Sequence, residues 1–297
     1  MVTYSLADRT TCGQNYYRNL YLATEIAGKS CGDCADYHAT VTIGRITDSS
    51  GWAGGMRDSL INFVSGEAQR RKSADLGLSV LIAGAADTST LACSAHAVLM
   101  SGEDVFRKAD FTVIDRCETP LVLCREFALE HHINLFAETQ DLALPSRGFN
   151  ADLVIFHTVF SFIPAEYHVA ILQRAGTWLN PGGKIYLWNG LQIDNQDQSR
   201  NARRLDNAEI LSRIRSGEVA IGEDIKIFEK RLENRVDRPR PGGKPNMHPS
   251  AEYFDTLLER AKLTVLSKTI KTMVHDAPNG TRYAKPFLEA VISKSPA

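Results

Sequence analysis

The sequence predicts an α/β protein built on one doubly wound, mostly parallel sheet of seven strands. From residue 79 onward, short runs rich in Val, Ile and Leu alternate with amphipathic segments of helical periodicity, and parallel strands need such crossover helices between them. The runs are apolar on both faces, as expected of parallel strands buried between two layers of helices. The short turn DAPNG at 276–280 lies between the last two runs, so these two should close the sheet as an antiparallel hairpin.

The expected elements follow one another along the chain. Strands are predicted at 79–84, 110–116, 133–138, 151–159, 183–190, 263–273 and 285–295. Helices are predicted at 89–101, 119–132, 165–179 and 250–262. His168, on the third of these helices, is expected to face solvent.

Two regions outside the alternating pattern are expected to flank the sheet. Residues 1–75 contain helical segments separated by a Gly/Ser/Thr-rich stretch, which predicts a helical N-terminal cap before a sheet domain at 76–297. The alternation also stops at about 191–249, where the chain is polar, charged and helical in periodicity and ends in the loop-forming RPRPGGKP. We interpret this stretch as an insertion that forms a lid. Its interspersed charges favour a solvated helical face over the alternative, an anion-binding patch.

Charge and hydropathy argue against several classes of function. The 297 residues include 34 Lys plus Arg and 35 Asp plus Glu, a formal net charge of -1, so no overall positive field attracts nucleic acid or an anionic membrane. No apolar run reaches the roughly 20 residues that span a bilayer, and the first residues lack a basic segment followed by an apolar one. We therefore expect no nucleic-acid or membrane partner and a cytoplasmic location.

The six cysteines are expected to be reduced thiols, because the chain is long enough to build a core and shows no export signal. The alternative is a zinc site that combines the Cys31-x-x-Cys34 pair with His38 and Cys12. Zinc sites normally repeat the paired spacing. This sequence does not, so no metal site is predicted.

Candidate binding residues lie at the ends of the predicted parallel strands, because ligands of doubly wound sheets bind beyond the carboxyl ends of the strands. Gly84 ends the first strand at a sharp turn, and the amides that follow can face a polar or anionic group. Asp115 ends the second strand, where a carboxylate can accept hydrogen bonds from both hydroxyls of a ribose. Asp141, with Gln140 beside it as a competitor, follows the third strand and can contact the amino group of a purine. His157 ends the fourth strand and is a candidate general base.

These residues stand in the order and spacing of a known family. The segments LIAGAADTSTLA, FTVIDR and TQDLALPSRGFNADLVIFHTVFSFIP resemble the cofactor turn, the ribose-binding acid, and the adenine contact with the fourth strand of the class I S-adenosylmethionine-dependent methyltransferases. LQRAGTWLNPGGKIYLWN is similar to the helix–turn–strand of that family, and the terminal antiparallel hairpin also resembles the family's. The resemblance covers about 79–190 plus the hairpin. It implies a Rossmann-like methyltransferase domain at 76–297.

The cofactor turn departs from the family's pattern. The acidic residue expected two positions before the first glycine is Ile82 here, and the later glycines of the turn correspond to Ala86 and Thr88. The small side chain of Ala86 still permits close approach of a ligand, and Asp87 or Thr88 could hold the ammonium group of the cofactor. A sulfonium nucleoside carries no pyrophosphate, so it needs fewer glycines than a dinucleotide.

The resemblance implies that S-adenosyl-L-methionine is the cofactor and S-adenosyl-L-homocysteine the product, with methyl transfer to an O, N or C atom of a small molecule. The residues expected to bind the cofactor are Gly84, Ala85, Ala86, Asp87, Asp115, Arg116, Gln140, Asp141, Leu142 and His157. The residues expected to bind the acceptor are Tyr16, Tyr17, Phe160, Ser161, Trp188 and Asn189, and His157 is the expected catalytic residue. The cap and the insertion argue against an extended polymer substrate and are also where such an enzyme would form a homodimer.

Two other functions stay open at this point. The cofactor turn somewhat resembles that of the chemotaxis-receptor glutamate methyltransferases, and a protein carboxyl methyltransferase would need a flat, accessible site. The missing acid and glycines also fit a catalytically silent scaffold that keeps the fold. Binding of the cofactor distinguishes the scaffold from both enzymes.

Overall fold

A computed structural model describes residues 23, 25–27, 29, 35–46, 56–145, 147–191, 207–237, 249–276 and 282–295. The helices of this part of the chain are α1 (Ala35–Ile46), α2 (Met56–Ser73), α3 (Ser89–Ser101), α4 (Glu103–Arg107), α5 (Glu118–Glu130), α6 (His168–Trp178), α7 (207–215), α8 (Ile225–Asp237) and α9 (Ala251–Arg260). The strands are β1 (Ser79–Ala83), β2 (Asp110–Asp115), β3 (Leu135–Thr139), β4 (Ala151–His157), β5 (Leu179–Gly190), β6 (Leu263–Asp276) and β7 (Arg282–Lys294). Among the described residues, none of the helices combines the length and apolarity that a bilayer span requires.

The strands form one sheet of seven in the order β3-β2-β1-β4-β5-β7-β6. β1 pairs in parallel with β2 and β4, β2 pairs in parallel with β3, and β4 pairs in parallel with β5. β7 pairs antiparallel with both β5 and β6. This sheet confirms the predicted fold class. The strand order reverses between β1 and β4, which is the switch point where ligands of doubly wound sheets bind.

Helices cover both faces of the sheet. On one face, α2 and α5 pack on the strands through residues that include Leu60 and Leu121. On the other face, α6 packs through Ile171. Consecutive strand positions alternate between these two cores, Leu81 in the second and Ile82 in the first, as the two-residue period of a strand requires. Burial on both sides leaves the edge at the strand ends as the place for a ligand.

A third core joins α1 to the charged insertion. Ile43 of α1 packs with Phe228 and Leu232 of α8. Next to this apolar contact, the Arg231 guanidinium donates to the Asp36 carboxylate at 3.0 Å. The described part of the insertion is therefore packed against the N-terminal region and is more than a solvated helical face.

Helix α1 forms where the sequence indicated a Gly/Ser/Thr-rich spacer, so that prediction is wrong. Two threonines inside the helix satisfy their hydroxyls on its own backbone: Thr40 Oγ1 donates to the Asp36 carbonyl at 2.8 Å, and Thr42 Oγ1 donates to the His38 carbonyl at 3.0 Å. Threonine is accommodated inside a helix by such bonds. Packing of α1 on the insertion and on the cofactor turn then stabilises a helix that local propensity alone did not indicate.

His168 is buried, which contradicts its expected exposure on α6. Its Nε2 lies 2.9 Å from the Ile163 carbonyl and its Nδ1 lies 2.9 Å from the Tyr253 hydroxyl. Burial lowers the pKa of this imidazole. His168 is the first residue of α6 and is covered by α9, an element far along the chain that a periodicity argument does not include.

β5 begins at Leu179, earlier than the predicted residue 183. Its pairing with β4 is irregular at this end: Leu179 is opposite Ala151, and regular register starts at Lys184 opposite Leu153. The Asn-Pro-Gly-Gly turn lies between these two pairs, with Gly182 at a φ of +76°. The helix–turn–strand of the sequence is therefore present, with its turn folded into a bulged start of the strand.

The expectation that all cysteines are reduced thiols is wrong for Cys117. Cys117 is disulfide-bonded, whereas Cys93 and Cys124 are free and buried. The partner of Cys117 lies outside the described residues. Sequence spacing could not indicate this bond, because disulfides join cysteines that the fold brings together.

Candidate functional site

Gly84 makes the turn at the end of β1, and the structure explains why glycine stands there. Its φ is +90°, and a Cβ at this position would lie 2.4 Å from Val159 Cγ2. Its amide donates to the Ile114 carbonyl at 2.8 Å, which keeps the turn beside β2. Only glycine fits both the backbone conformation and the space.

Asp115 meets the cofactor turn directly. The Ala85 amide donates to Asp115 Oδ2 at 2.9 Å and the Cys117 amide donates to Oδ1 at 2.7 Å. A carboxylate has about four acceptor positions, so both oxygens can still accept from a second donor. Burial raises the pKa of Asp115 to about 6, against the opposing effect of these two amides. Gly84 and Asp115 therefore lie at the same edge of the sheet.

Asp87 holds the N-terminal helix α1 against the turn. Its Oδ1 accepts from the Ser89 amide at 2.9 Å, at the start of α3, and its Oδ2 accepts from Arg45 Nε at 2.7 Å. The side chains of Asp87 and Arg45 are 2% and 8% exposed. The carboxylate that was expected to hold the cofactor's ammonium group is thus engaged by a guanidinium and a backbone amide.

His38 of α1 connects the two loops that flank Asp115. Its Nδ1 lies 3.1 Å from the Ala86 carbonyl and its Nε2 lies 3.1 Å from Cys117 Sγ. Burial lowers the pKa of His38 to about 4, so the ring is neutral near pH 7 and Nδ1 carries the proton that the carbonyl accepts. Sequence reasoning considered His38 only as a zinc ligand, and these contacts place it beside the cofactor turn instead.

The loop after β3 supplies a hydrogen-bond donor without a partner. The Gln140 amide donates to the Asp115 carbonyl at 2.8 Å, which places this residue next to Asp115 at the edge of the sheet. The side-chain Nε2 of Gln140 is buried and has no hydrogen-bond partner within the part of the chain that the structure describes. Asp141, in contrast, uses its Oδ1 to accept from the Ala143 amide at 2.8 Å. Gln140 is therefore the better candidate of the two for a contact with adenine.

The rest of the β3 loop is fixed in place by Arg174 of α6, which donates to the carbonyls of Leu142 and Leu144. Leu142 is 6% exposed and belongs to the second core. Arg116 projects into solvent next to Asp115. Sequence reasoning did not identify Arg174, since its contacts are to backbone atoms 30 residues away in the chain.

His157 ends β4 on the side of α3. Its Nδ1 lies 3.4 Å from Thr90 Oγ1. Burial, and after it the positive charge of Arg45, hold the pKa of His157 well below its usual range. The imidazole is therefore neutral, and with so low a pKa it would be a weak general base.

Asn189 and Ser161 lie together at the adjoining ends of β5 and β4. Asn189 Nδ2 donates to Ser161 Oγ at 3.2 Å. Phe160 and Trp188, also predicted to bind the acceptor, are each 1% exposed and pack in the two cores of the sheet. The structure brings Asn189 and Ser161 together, and it packs Trp188 and Phe160 in the first and second core respectively. Tyr16 and Tyr17 lie outside the described residues.

The chain was compared with known proteins. No family model matches it, and no curated protein matches it. Among solved structures, TehB from Haemophilus influenzae is 14% identical over 77% of this chain and 62% of that chain, with a TM-score of 0.47. The mitomycin 7-O-methyltransferase MmcR is 15% identical over 95% of this chain and 68% of that chain, with a TM-score of 0.47. An O-methyltransferase family protein from Burkholderia thailandensis is 14% identical over 85% of this chain and 61% of that chain, with a TM-score of 0.46.

The alignment thus spans less than two thirds of the length of the first and third of these proteins. With identities and TM-scores this low, none of the three structures carries weight for the function of this chain. The function is inferred from the residues at the edge of its own sheet.

Proposed function

We propose that the chain is an S-adenosylmethionine-dependent methyltransferase that acts on an O, N or C atom of a small molecule. The observation that carries this proposal is the geometry around Asp115. The carboxylate stands 2.9 Å from the Ala85 amide of the cofactor turn, and the next strand end adds the unpartnered Gln140 donor. One edge thus offers acceptors for a ribose and a donor for a purine.

The residues present fit an adenosine group. The Asp115 carboxylate can accept hydrogen bonds from two neighbouring hydroxyls. Gln140 Nε2 can donate to a ring nitrogen of adenine, which would satisfy a buried donor that otherwise carries a desolvation penalty of about 1–3 kcal/mol. The turn at Gly84 leaves no side chain at the bend, so a ligand can approach its backbone closely.

When bound, the cofactor would supply an electrophilic methyl group on a sulfonium: the acceptor atom would bond to this carbon as the carbon–sulfur bond breaks, with S-adenosylhomocysteine as the leaving group and the acceptor's proton released to solvent. The work left to the protein is to align the acceptor and to exclude water. α1 is held over the turn by His38 and by the Arg45–Asp87 pair, and the insertion packs on the outer side of α1. His157 is neutral at this edge and can orient a donor without taking up charge.

The position of α1 and α8 supports a small acceptor. A helix that reaches from Ala86 to the insertion covers the edge that a folded protein substrate would have to approach. A protein carboxyl methyltransferase needs that approach to be open. The scaffold alternative predicts an edge whose polar groups are all satisfied, whereas Gln140 Nε2 has no partner.

Isothermal titration with S-adenosylmethionine, S-adenosylhomocysteine and NAD tests the proposal. We expect one site for each of the first two ligands and no binding of NAD. Asp115→Asn should weaken binding of S-adenosylhomocysteine at least tenfold. The matched control is Asp110→Asn at the exposed opposite end of the same strand, which should leave the affinity unchanged. Absence of binding by both sulfur nucleosides would refute the proposal and favour the scaffold.

A further inference from the structure

Asn189 carries an unsatisfied acceptor at the carboxyl end of β5. The side chain is fully buried, with 0% of its surface exposed. Its Nδ2 donates to the Gly190 carbonyl at 2.8 Å and to Ser161 Oγ at 3.2 Å. Its Oδ1 is buried, and none of the described residues forms a hydrogen bond with it.

The orientation of this amide follows from its neighbours. A carbonyl oxygen can only accept a hydrogen bond, so the Asn189 atom 2.8 Å from the Gly190 carbonyl must be the nitrogen. Rotating the amide by 180° would place the Asn189 oxygen against the Gly190 carbonyl oxygen, and two acceptors repel each other at this distance. The unpartnered atom at this position is therefore the oxygen, an acceptor, and it needs a donor.

Asn189 lies at the same edge as the cofactor residues. The end of β5 runs beside the end of β4, where the Thr158 amide donates to the Trp188 carbonyl at 2.6 Å. β4 lies next to β1 in the sheet, and β1 leads into the turn that meets Asp115. The order across the edge is thus Asp115, the turn after β1, His157 and then Asn189.

The neighbourhood of Asn189 is polar but uncharged on the side of β4. Ser161 is a hydroxyl and His157 is held neutral by burial and by Arg45. Phe162, next to Ser161, forms an edge-to-face pair with Tyr37 of α1, with ring centroids 5.2 Å apart. This pair provides an aromatic surface between α1 and the end of β4.

From this juxtaposition we infer that Asn189 Oδ1 binds the methyl acceptor by accepting a hydrogen bond from its nucleophilic O–H or N–H, and that the acceptor is a neutral hydroxyl or amino compound with an apolar ring. The inference rests on the proposed function and adds the chemical class of the acceptor. A carboxylate has no hydrogen to donate and would meet the Asn189 oxygen with its own lone pairs. Accepting the O–H or N–H hydrogen turns a lone pair of the nucleophile toward the methyl donor.

The experiment uses four probes with one ring: phenol, aniline, toluene and benzoate, each titrated into the full chain saturated with S-adenosylhomocysteine. We expect phenol and aniline to bind at least tenfold more tightly than toluene or benzoate, the ratio that about 1.4 kcal/mol gives. In Asn189→Leu this preference should disappear while the Kd of S-adenosylhomocysteine stays the same. The control is Asn150→Leu at an exposed position before β4, which should keep the preference.

Three outcomes would overturn the inference: no binding by phenol and aniline, equal binding by toluene, or a preference that persists in Asn189→Leu. If Asn189→Leu does not fold, Asn189→Ala provides the same comparison, and Asn150→Leu stays the control that should keep the preference. A chain that does not bind S-adenosylhomocysteine at all refutes the proposed function. A chain that binds it without discriminating among the probes refutes only the assignment of Asn189.

Discussion

Arg45 and Asp87 form a buried ion pair, with Arg45 Nε 2.7 Å from Asp87 Oδ2. The pair joins α1 to the loop that opens α3, and the second carboxylate oxygen caps that helix through the Ser89 amide. The positive charge of Arg45 therefore lies beside the turn that follows β1, where the Asp87 carboxylate balances it. The pair ties a helix from the N-terminal region to the switch point of the sheet.

Removing one member of this pair should destabilise the protein strongly, because the remaining charge stays buried without its partner. For Arg45→Met we expect the free energy of unfolding to fall by about 3–5 kcal/mol, measured by urea denaturation. The comparison is Arg107→Met, which breaks the exposed Arg107–Glu103 pair and should change stability by less than about 1 kcal/mol. Equal effects of the two substitutions would show that the Arg45–Asp87 pair is not buried in solution.

Gly84→Ala should destabilise the chain through both its backbone and its neighbour. Alanine would have to adopt the φ of +90° that residue 84 has in the fold, and its Cβ would lie 2.4 Å from Val159 Cγ2. Overpacking of this kind costs about 1–3 kcal/mol. Gly66→Ala is the matched control: Gly66 lies inside α2 with nothing within 4 Å of the added Cβ, and alanine in a helix should stabilise by about 0.5–1 kcal/mol. The Tm measured by thermal unfolding should therefore fall for Gly84→Ala and rise for Gly66→Ala.

Binding of S-adenosylhomocysteine should weaken as the pH falls through about 6. Burial raises the pKa of Asp115 to about 6, and the protonated carboxyl loses acceptor capacity for the ribose hydroxyls. The affinity should be constant above pH 7 and fall by up to tenfold per pH unit below 6. Asp115→Asn should remove this dependence, measured by titration at a series of pH values.

The pH dependence that Asp115 gives to the stability of the unliganded chain should be opposite to the pH dependence of binding. An acid whose folded pKa lies above its unfolded value binds more protons in the folded state between those values. The contribution of Asp115 to the free energy of unfolding therefore decreases as the pH rises from about 4 to 6. Loss of binding at low pH would thus not be the result of unfolding caused by this group.

Gln140→Leu should weaken binding of adenosine-containing ligands without loss of stability. The variant removes the donor predicted to contact adenine, at a position where that donor has no partner among the described residues. We expect about a fivefold to tenfold increase in the Kd of S-adenosylhomocysteine and an unchanged or higher free energy of unfolding. Gln173→Leu on the exposed face of α6 serves as the control. An unchanged Kd in Gln140→Leu would exclude Gln140 from the adenine site.

The sheet could be predicted from sequence because its signal is local. Apolar runs separated by crossover helices indicate parallel strands, and the short turn before β7 indicates a hairpin. Gly84 and Asp115 were predicted to share an edge because parallel strands end on the same side. Their contact through the Ala85 amide confirms that placement.

The residues that sequence reasoning missed all act across long separations in the chain. His38 reaches Ala86 over 48 positions and Arg45 reaches Asp87 over 42. Both lie on α1, whose two threonines and one glycine gave no clear helical period. The burial of His168 under α9 was missed for the same reason.

The structure of the chain bound to S-adenosylhomocysteine tests the central claim most directly. We predict that both ribose hydroxyls lie within hydrogen-bond distance of the Asp115 carboxylate, and that Gln140 Nε2 contacts the adenine ring. A ligand bound away from the edge that carries Gly84 and Asp115 would contradict the account, as would an adenosine group that leaves Asp115 without a contact.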